Sequence, residues 1–486
     1  MKNIVFILIG LANTAVCAET DFNVTEIGNF SPWAWSSPSE IVGTAYSENG
    51  PSSLVVYQHG NLTNLGNITD ATLILPRAIN ASGQIIVNAL TTQGTNSYLI
   101  NGSSWTPIQI PRQSSYDPYQ LIGSTHAIGL TSDGTVYGWY DATNNIGSAS
   151  VGFTYRDGVY RDLHDEIPMQ HSRVIGVGSD HSILINAHSA YGLDYSVIRQ
   201  SHLGSTTFTH PNRNNGEVTG VAMNGDGGFA GNISTTEGGR VFRVDADGTY
   251  HEFAAPILPT PTGFEPNTTS MYLNNFPLAT RPMNQSGAIA GTIENAVFVF
   301  HSAQAPDGTL LSAGGGALML DGRAFVEQQG KVEILPLPLD LNDPMANLSF
   351  NHIQTAGINN LGTVWGTISH TDYFYQVAQS GSVGQPAYFL TVTSDSLSTP
   401  FIQINHKGFD IKSLLDEATG VSHFSVDIID VDDHNNVLIQ AWEDVNTISP
   451  RAYVLTLVPE PETYTLMLAG LCLVGFAARH KKQHCA

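Results

Sequence analysis

Ile358-Asn359-Asn360-Leu361-Gly362-Thr363-Val364-Trp365-Gly366 holds a strand end, a turn and a strand start in one short stretch. Asn and Gly accept positive φ at a tight turn, and the residues after Gly362 alternate as a strand. The closing Gly366 allows a close backbone approach or a bend. The same order recurs in Met283-Asn284-Gln285-Ser286-Gly287-Ala288-Ile289-Ala290-Gly291, in Met223 to Gly231 and in Ile79 to Ile86. Weaker copies are Thr131 to Gly138 and Val431 to Leu438, with degenerate ones at Gly178-Ser179 and before Ile41-Val42-Gly43.

A second strand bearing an aromatic follows most copies: Leu54 to Tyr57, Asn96 to Ile100, Gly152 to Tyr155, Arg240 to Val244, Ala387 to Leu390 and Arg451 to Leu455. Asp157-Gly158 and Asp247-Gly248 supply hairpin turns after two of them. The turn residues Asn80, Ser132, Ser179, Asn224, Asn284, Asn359 and Asp432 lie 52, 47, 45, 60, 75 and 73 positions apart. That is the length of a propeller blade, with insertions late in the chain. The fold class is therefore all-β, and a β-propeller of seven or eight blades is expected over 19–457. Radial packing protects strand edges, which sets it above an irregular sandwich. Only Ile411 to Thr419, stopping at Gly420, reads as a helix.

These repeats resemble the extracellular HAF-repeat family, in which an Asn-x-x-Gly turn and strand precede an Ala-Phe/Tyr-x-Leu strand. Arg451-Ala452-Tyr453-Val454-Leu455-Thr456 is the best match. The resemblance implies a propeller.

The two ends carry addresses. Lys2, the apolar run Ile4 to Ala12 and the small residues up to Ala18 read as a secretory signal over 1–18, a signal helix cleaved between Ala18 and Glu19. That run is too short to span a bilayer. At the other end Pro459-Glu460-Pro461 precedes the uncharged segment Tyr464 to Ala478, then Arg479, Lys481 and Lys482. As a transmembrane helix 464–478 reaches about 22 Å, and its basic flank prefers the cytoplasmic side. The constellation over 458–486 resembles the PEP-CTERM sorting signal. The resemblance implies Sec export, a transient inner-membrane anchor, and cleavage near Pro459, Glu460 and Pro461 by an exosortase that leaves the protein at the cell surface or outside it.

Removing the four cations (Lys2, Arg479, Lys481, Lys482) and two acids (Glu460, Glu462) of the terminal segments takes the net charge from −23 to −25. Such a surface repels nucleic acid and anionic membrane. Cys17, Cys472 and Cys485 all lie in the terminal segments, so the central domain has neither disulfide nor thiol chemistry. Few charges (13%), 47 glycines and 24 prolines fit short strands and tight turns.

No nucleophile elbow and no His-Glu-x-x-His occurs. His164 and His171 are separated by Pro168, and His181 and His188 would face opposite sides of one strand, so both pairs read as polar loops or satisfied histidines. Asp430, Asp432 and Asp433 form the densest oxygen cluster and are the calcium candidates. The cluster lacks the central Gly and position-twelve Glu of a calcium loop, and it coincides with a repeat turn. Asp245-Ala246-Asp247-Gly248 has the same standing. Trp33, Trp35, Trp105, Trp139, Trp365 and Trp442 read as packing between blades, with sugar stacking as the alternative. The expected function is a non-catalytic exported surface or matrix protein associated with exopolysaccharide and needing no cofactor. The alternative is a propeller acting on glycans, as glycosidase or binding module, and a glycosidase would need two carboxyl groups in one cleft.

Overall fold

A computed structural model describes residues 22–458 apart from 48–49, 110–119, 145–146, 164–165, 167–170, 190–194, 203, 210–216, 257, 259–265, 275–280, 340–345, 347, 381–386 and 448. Eight four-stranded antiparallel sheets follow one another along the chain. The first seven span 31–66, 71–107, 120–162, 171–208, 217–253, 266–334 and 348–410. The eighth takes three strands from 425–457 and its outermost strand, Phe22–Asn29, from the other end of the chain. That strand pairs antiparallel with Arg451–Leu457, so the termini of the domain are stitched together. Each sheet packs on the next in chain order, and the eighth packs on the first. This is a β-propeller, and the sandwich alternative falls. The signal helix, the cleavage site Ala18/Glu19, the sorting motif Pro459, Glu460 and Pro461, and the segment 464–478 lie outside the described residues. Among the described residues no helix is long and apolar enough to cross a membrane.

The inner and middle strands of the sheets are the most buried, as in Ile85–Thr91 and Val437–Trp442, while outer strands such as Asn61–Gly66 are largely exposed. Apolar side chains of neighbouring sheets interlock between them: Val42, Leu54 and Val56 of the first meet Ile74, Ile85 and Val87 of the second. Each such buried aliphatic contributes about 1.5–3 kcal/mol. The helix Ile411–Thr419 has Asp410 as its N-cap, accepting from the Ser413 N–H, and Gly420 (φ 68°) as its left-handed stop. It buries Ile411 and Leu415 where the seventh and eighth sheets meet.

The repeat turns form where the spacing places them, with two shifts of one residue. The third and fourth turns open at Thr131 and Gly178, whose N–H groups donate to the carbonyls of Thr135 and Ser182 at 3.0 and 2.8 Å, rather than at Ser132 and Ser179. The conformational role of Asn also differs from expectation. At the turn-opening Asn284 and Asn359 φ is not positive; positive φ falls three residues on, at glycines such as Gly287 (82°) and Gly362 (81°) and, in the eighth sheet, at Asn435 (61°). The asparagines act through their side chains. Asn359 Oδ1 accepts from the N–H groups of Leu361 and Thr363 at 3.0 and 2.9 Å, closing its own turn. Its Nδ2 donates to the Asp432 carbonyl of the next sheet at 2.8 Å. Asn80, Asn224 and Asn284 reach the carbonyls of Thr131, Gln285 and Asn359 in the same way. One amide thus shapes a turn and links two sheets.

The closing glycine has a steric cause. In every sheet but the sixth, the innermost strand carries a bulge just before the turn, as between Thr355 and Gly357. A Cβ on Gly366 would lie 2.1 Å from the Gln354 carbonyl oxygen, and one on Gly231 would lie 2.2 Å from that of Thr219.

A second amide device ties the sheets together higher up. Asn88, Asn186 and Asn232 each donate from Nδ2 to a carbonyl and accept at Oδ1 from an N–H on the innermost strand of the next sheet. Their partners are Ala127, Gly220 and Leu273. Each pair satisfies one N–H and one carbonyl along the inner edge of the next sheet.

Candidate functional site

Burial alternates along the innermost strands, leaving one partly exposed side chain at every second position. In His171–Val177, the residues His171, Arg173 and Ile175 are accessible while Ser172, Val174 and Gly176 are buried. The accessible polar groups concentrate at two places.

The first lies on the third and fourth sheets. His126 and Trp139 are cross-strand partners, and their rings stack at 5.3 Å. His126 Nε2 is 3.0 Å from Asp141 Oδ2. The Arg173 guanidinium, from the next sheet, sits 4.9 Å from the centroid of the Trp139 ring. His171 stacks on its own cross-strand partner His188 at 4.3 Å, and His188 lies against Tyr195 at 5.2 Å. Burial lowers the His171 pKa, and the neighbouring His188 and Arg173 lower it further, so the neutral imidazole is favoured at neutral pH. Its Nδ1 faces the Ser150 N–H at 3.2 Å, which leaves the proton on Nε2.

The second lies between the sixth and seventh sheets, on their innermost strands Pro266–Tyr272 and Leu348–Ile358 and on the two longest hairpins, Ile289–Gln304 with Leu310–Gln328 and Val364–Ser380 with Ala387–Ile404. Glu294 accepts from the Tyr272 hydroxyl at 3.0 Å, and His352 Nδ1 is 3.6 Å from Glu294 Oε2. Asp321 faces Arg323 at 3.3 Å and accepts from the Asn351 N–H at 3.4 Å. Burial raises the Asp321 pKa and lowers that of His352. His370 joins Asn351 Oδ1 and Asp372 Oδ1, both at 2.9 Å. Three carboxylates and two imidazoles thus share this joint.

The calcium candidates are engaged by protein donors, and Arg281 lies 3.8 Å from Asp430 and 3.6 Å from Asp433. Asp432 Oδ1 accepts from the N–H groups of His434 and Asn436, shaping its own turn. Asp433 accepts from the backbone and side-chain N–H groups of Asn360 in the preceding sheet. Asp430 accepts from Trp35 Nε1 at 3.0 Å and lies 3.8 Å from Arg281. Among the described residues no group of three His, Cys, Asp or Glu side chains is placed to hold a metal ion.

Asp430 stands where the other sheets carry Ala34, Ala78, Gly129, Gly176, Ala222, Pro282 and Gly357, immediately before the last residue ahead of the turn. Burial pushes its carboxyl up to about 6, with Arg281 and the Trp35 N–H opposing the shift. A raised folded-state pKa means that this group favours the folded state while protonated. The advantage is complete below about pH 4 and is lost as pH rises through about 6. Asp430→Asn is therefore expected to gain on the wild type by about 2–3 kcal/mol between pH 4 and pH 7. Urea midpoints across that range measure it.

His181 lies in a turn with φ 60°, outside the strand Ile183–His188, so the expected contrast of faces within one strand does not arise. The structure instead pairs His188 with His171. His164 lies outside the described residues. Trp365 is fully buried between the seventh and eighth sheets, and Trp105 packs on the second, as expected of packing residues. Trp139 departs from that role, and the signal was in the sequence. After Gly43, Gly231, Gly291 and Gly366 come Thr44, Asn232, Thr292 and Thr367, whereas Gly138 is followed by Trp139.

The PEP-CTERM protein-sorting motif matches residues 457–482. It marks the chain as an exosortase-processed, exported surface protein. No curated protein matches the chain. Among solved structures, the β-propeller domain of the Trilobed protease from Pyrococcus furiosus is similar at 9% identity and a TM-score of 0.38, over 90% of this chain and 97% of that one. Dipeptidyl peptidase 4 from Porphyromonas gingivalis gives 11% and 0.42, over 85% and 57%. A putative TolB from Agrobacterium tumefaciens gives 14% and 0.29, over 56% and 83%. At such scores none of these likenesses bears on what the chain does.

Proposed function

We propose that this chain is a non-catalytic matrix protein: an eight-bladed propeller built of HAF-type repeats, exported through Sec, released by exosortase and associated with extracellular polysaccharide or biofilm. The sorting motif at 457–482 carries this reading. Two features support it. The repeat geometry spends its polar side chains on holding sheets together, and the acidic surface suits a hydrated polymer phase. In this reading the segment 464–478 anchors the precursor in the inner membrane until cleavage. Intact mass of the protein from the culture medium and from membranes tests it. A species running from Glu19 to near Pro461 in the medium is expected; a full-length tail found only in membranes overturns it.

A glycan-hydrolysing propeller is the second reading, favoured by Glu294 and Asp321 beside His352 and Tyr272. Turnover of polysaccharide that is abolished in Glu294→Gln at unchanged stability would establish it in place of the first.

A further inference from the structure

A chain of net charge −23 rarely leaves a cation without a carboxylate. Among the described residues every arginine but Arg77 and Arg173 is ion-paired. Arg77 is half-buried, with its Nε enclosed and unbonded. Arg173 is exposed, and its single described contact is the face of Trp139. A cation held over an indole face is positioned without consuming its N–H groups, so a planar fork of donors remains available.

The groups beside it extend that fork. His171, two residues away on the same face of its strand, keeps its proton on Nε2 because Nδ1 meets the Ser150 N–H. His188, stacked on His171, has its Nδ1 engaged by the Ser189 carbonyl at 3.0 Å, so in the neutral ring Nε2 is the acceptor. The nearby carboxylate, Asp141, is already matched by His126. The cluster therefore presents a guanidinium fork, one N–H donor and one ring-nitrogen acceptor side by side. An anion alone would satisfy the first two. The acceptor calls for a hydroxyl beside the anion, and a sugar acid carries both.

We propose that Arg173, His171 and His188 form a binding site for a uronic-acid residue of an acidic polysaccharide. Arg173 takes the carboxylate through two parallel N–H···O bonds, His171 Nε2–H donates to the same ligand, and His188 Nε2 accepts from a ring hydroxyl. Trp139 holds Arg173 in place and gives the indole at this position a purpose that the inter-sheet amides elsewhere do not share. The proposal rests on the polysaccharide reading above and names the sugar chemistry that it would involve.

Calorimetric titration of the mature secreted protein with trigalacturonate, with its neutral methyl ester, and with acetate tests it. Trigalacturonate is expected to bind at least tenfold more tightly than the ester or acetate. Arg173→Gln is expected to lose tenfold or more and Arg173→Lys nearly as much, because a point charge cannot make the fork. Arg77→Gln should bind as the wild type does. Equal binding of acid and ester, no binding of either, or an Arg173→Gln variant with wild-type affinity and an unchanged urea midpoint overturns the proposal. Processed protein in the medium that ignores trigalacturonate removes this site alone. A membrane-retained precursor whose purified domain still binds it removes the matrix reading and leaves the site.

Discussion

Arg243→Leu is expected to lower the stability of the domain by about 3–5 kcal/mol. The Glu327 carboxylate is fully buried at the joint between the fifth and sixth sheets, and Arg243 is 7% exposed. Arg243 Nη1 donates to both Glu327 oxygens, at 2.7 and 2.5 Å, and its Nε donates to Asp245 at 2.9 Å. The Gly330 N–H supplies a further donor to Glu327 at 2.7 Å. Burial pulls the Glu327 pKa upward, and the Gly330 N–H and Arg243 oppose it. Removing Arg243 leaves an enclosed carboxyl that must be protonated or be reached by water. The double variant Arg243→Leu with Glu327→Leu should recover most of the loss, since replacing both charges removes the desolvation cost along with the attraction. Urea midpoints of the four proteins in the cycle measure this. A single Arg243→Leu variant within about 1 kcal/mol of the wild type would show that the pair contributes little.

Asn359→Asp should cost about 2–4 kcal/mol, although it changes one atom of a fully buried side chain. The carboxylate would still accept from Leu361 and Thr363, so the turn survives. The lost Nδ2 donates to the Asp432 carbonyl and to Asn435 Oδ1, both at 2.8 Å. A carboxylate oxygen there would face two acceptors instead. Asp432, the equivalent residue of the last sheet, performs the turn role with no donor to the next sheet among its described bonds. Exchanging Asp432 for Asn disturbs only the Asn436 Nδ2 bond within its own turn and no link between sheets, so it should cost less than the Asn359 exchange. The contrast between the two substitutions separates the turn contribution from the link between sheets, and thermal midpoints read it directly.

Both predictions concern partners far apart in sequence, and this is where the reading of the chain alone stopped. The Asn-x-x-Gly turns, the aromatic strands after them and the helix Ile411–Thr419 with its Gly420 stop were all legible, because each depends on residues a few positions apart. The turn-opening residue was misplaced by one at Thr131 and Gly178, where no Asn marks it, although Gly134 keeps the regular spacing from Thr131. Asn435 takes the positive φ expected of Asn, but the inter-sheet bond of the turn-opening Asn was not legible because the local pattern shows the turn and not the neighbouring carbonyl. The candidate site was less legible still. His171 and His188 were each read against other histidines, yet the antiparallel register of their strands brings their rings together.

Sequence by itself determined the all-β class, the blade-length period, the turns to within one residue and the C-terminal sorting address. Periodicity, turn chemistry and sorting signals are written in contiguous residues. Only the tertiary structure decided that the first strand completes the last sheet, that Arg243 meets Glu327 across 84 residues, and that Arg173, with no carboxylate partner among the described residues, sits over Trp139. Those outcomes depend on which sheet faces which once the chain closes. The closure is governed by the sum of packing over the whole ring, and no local segment encodes it.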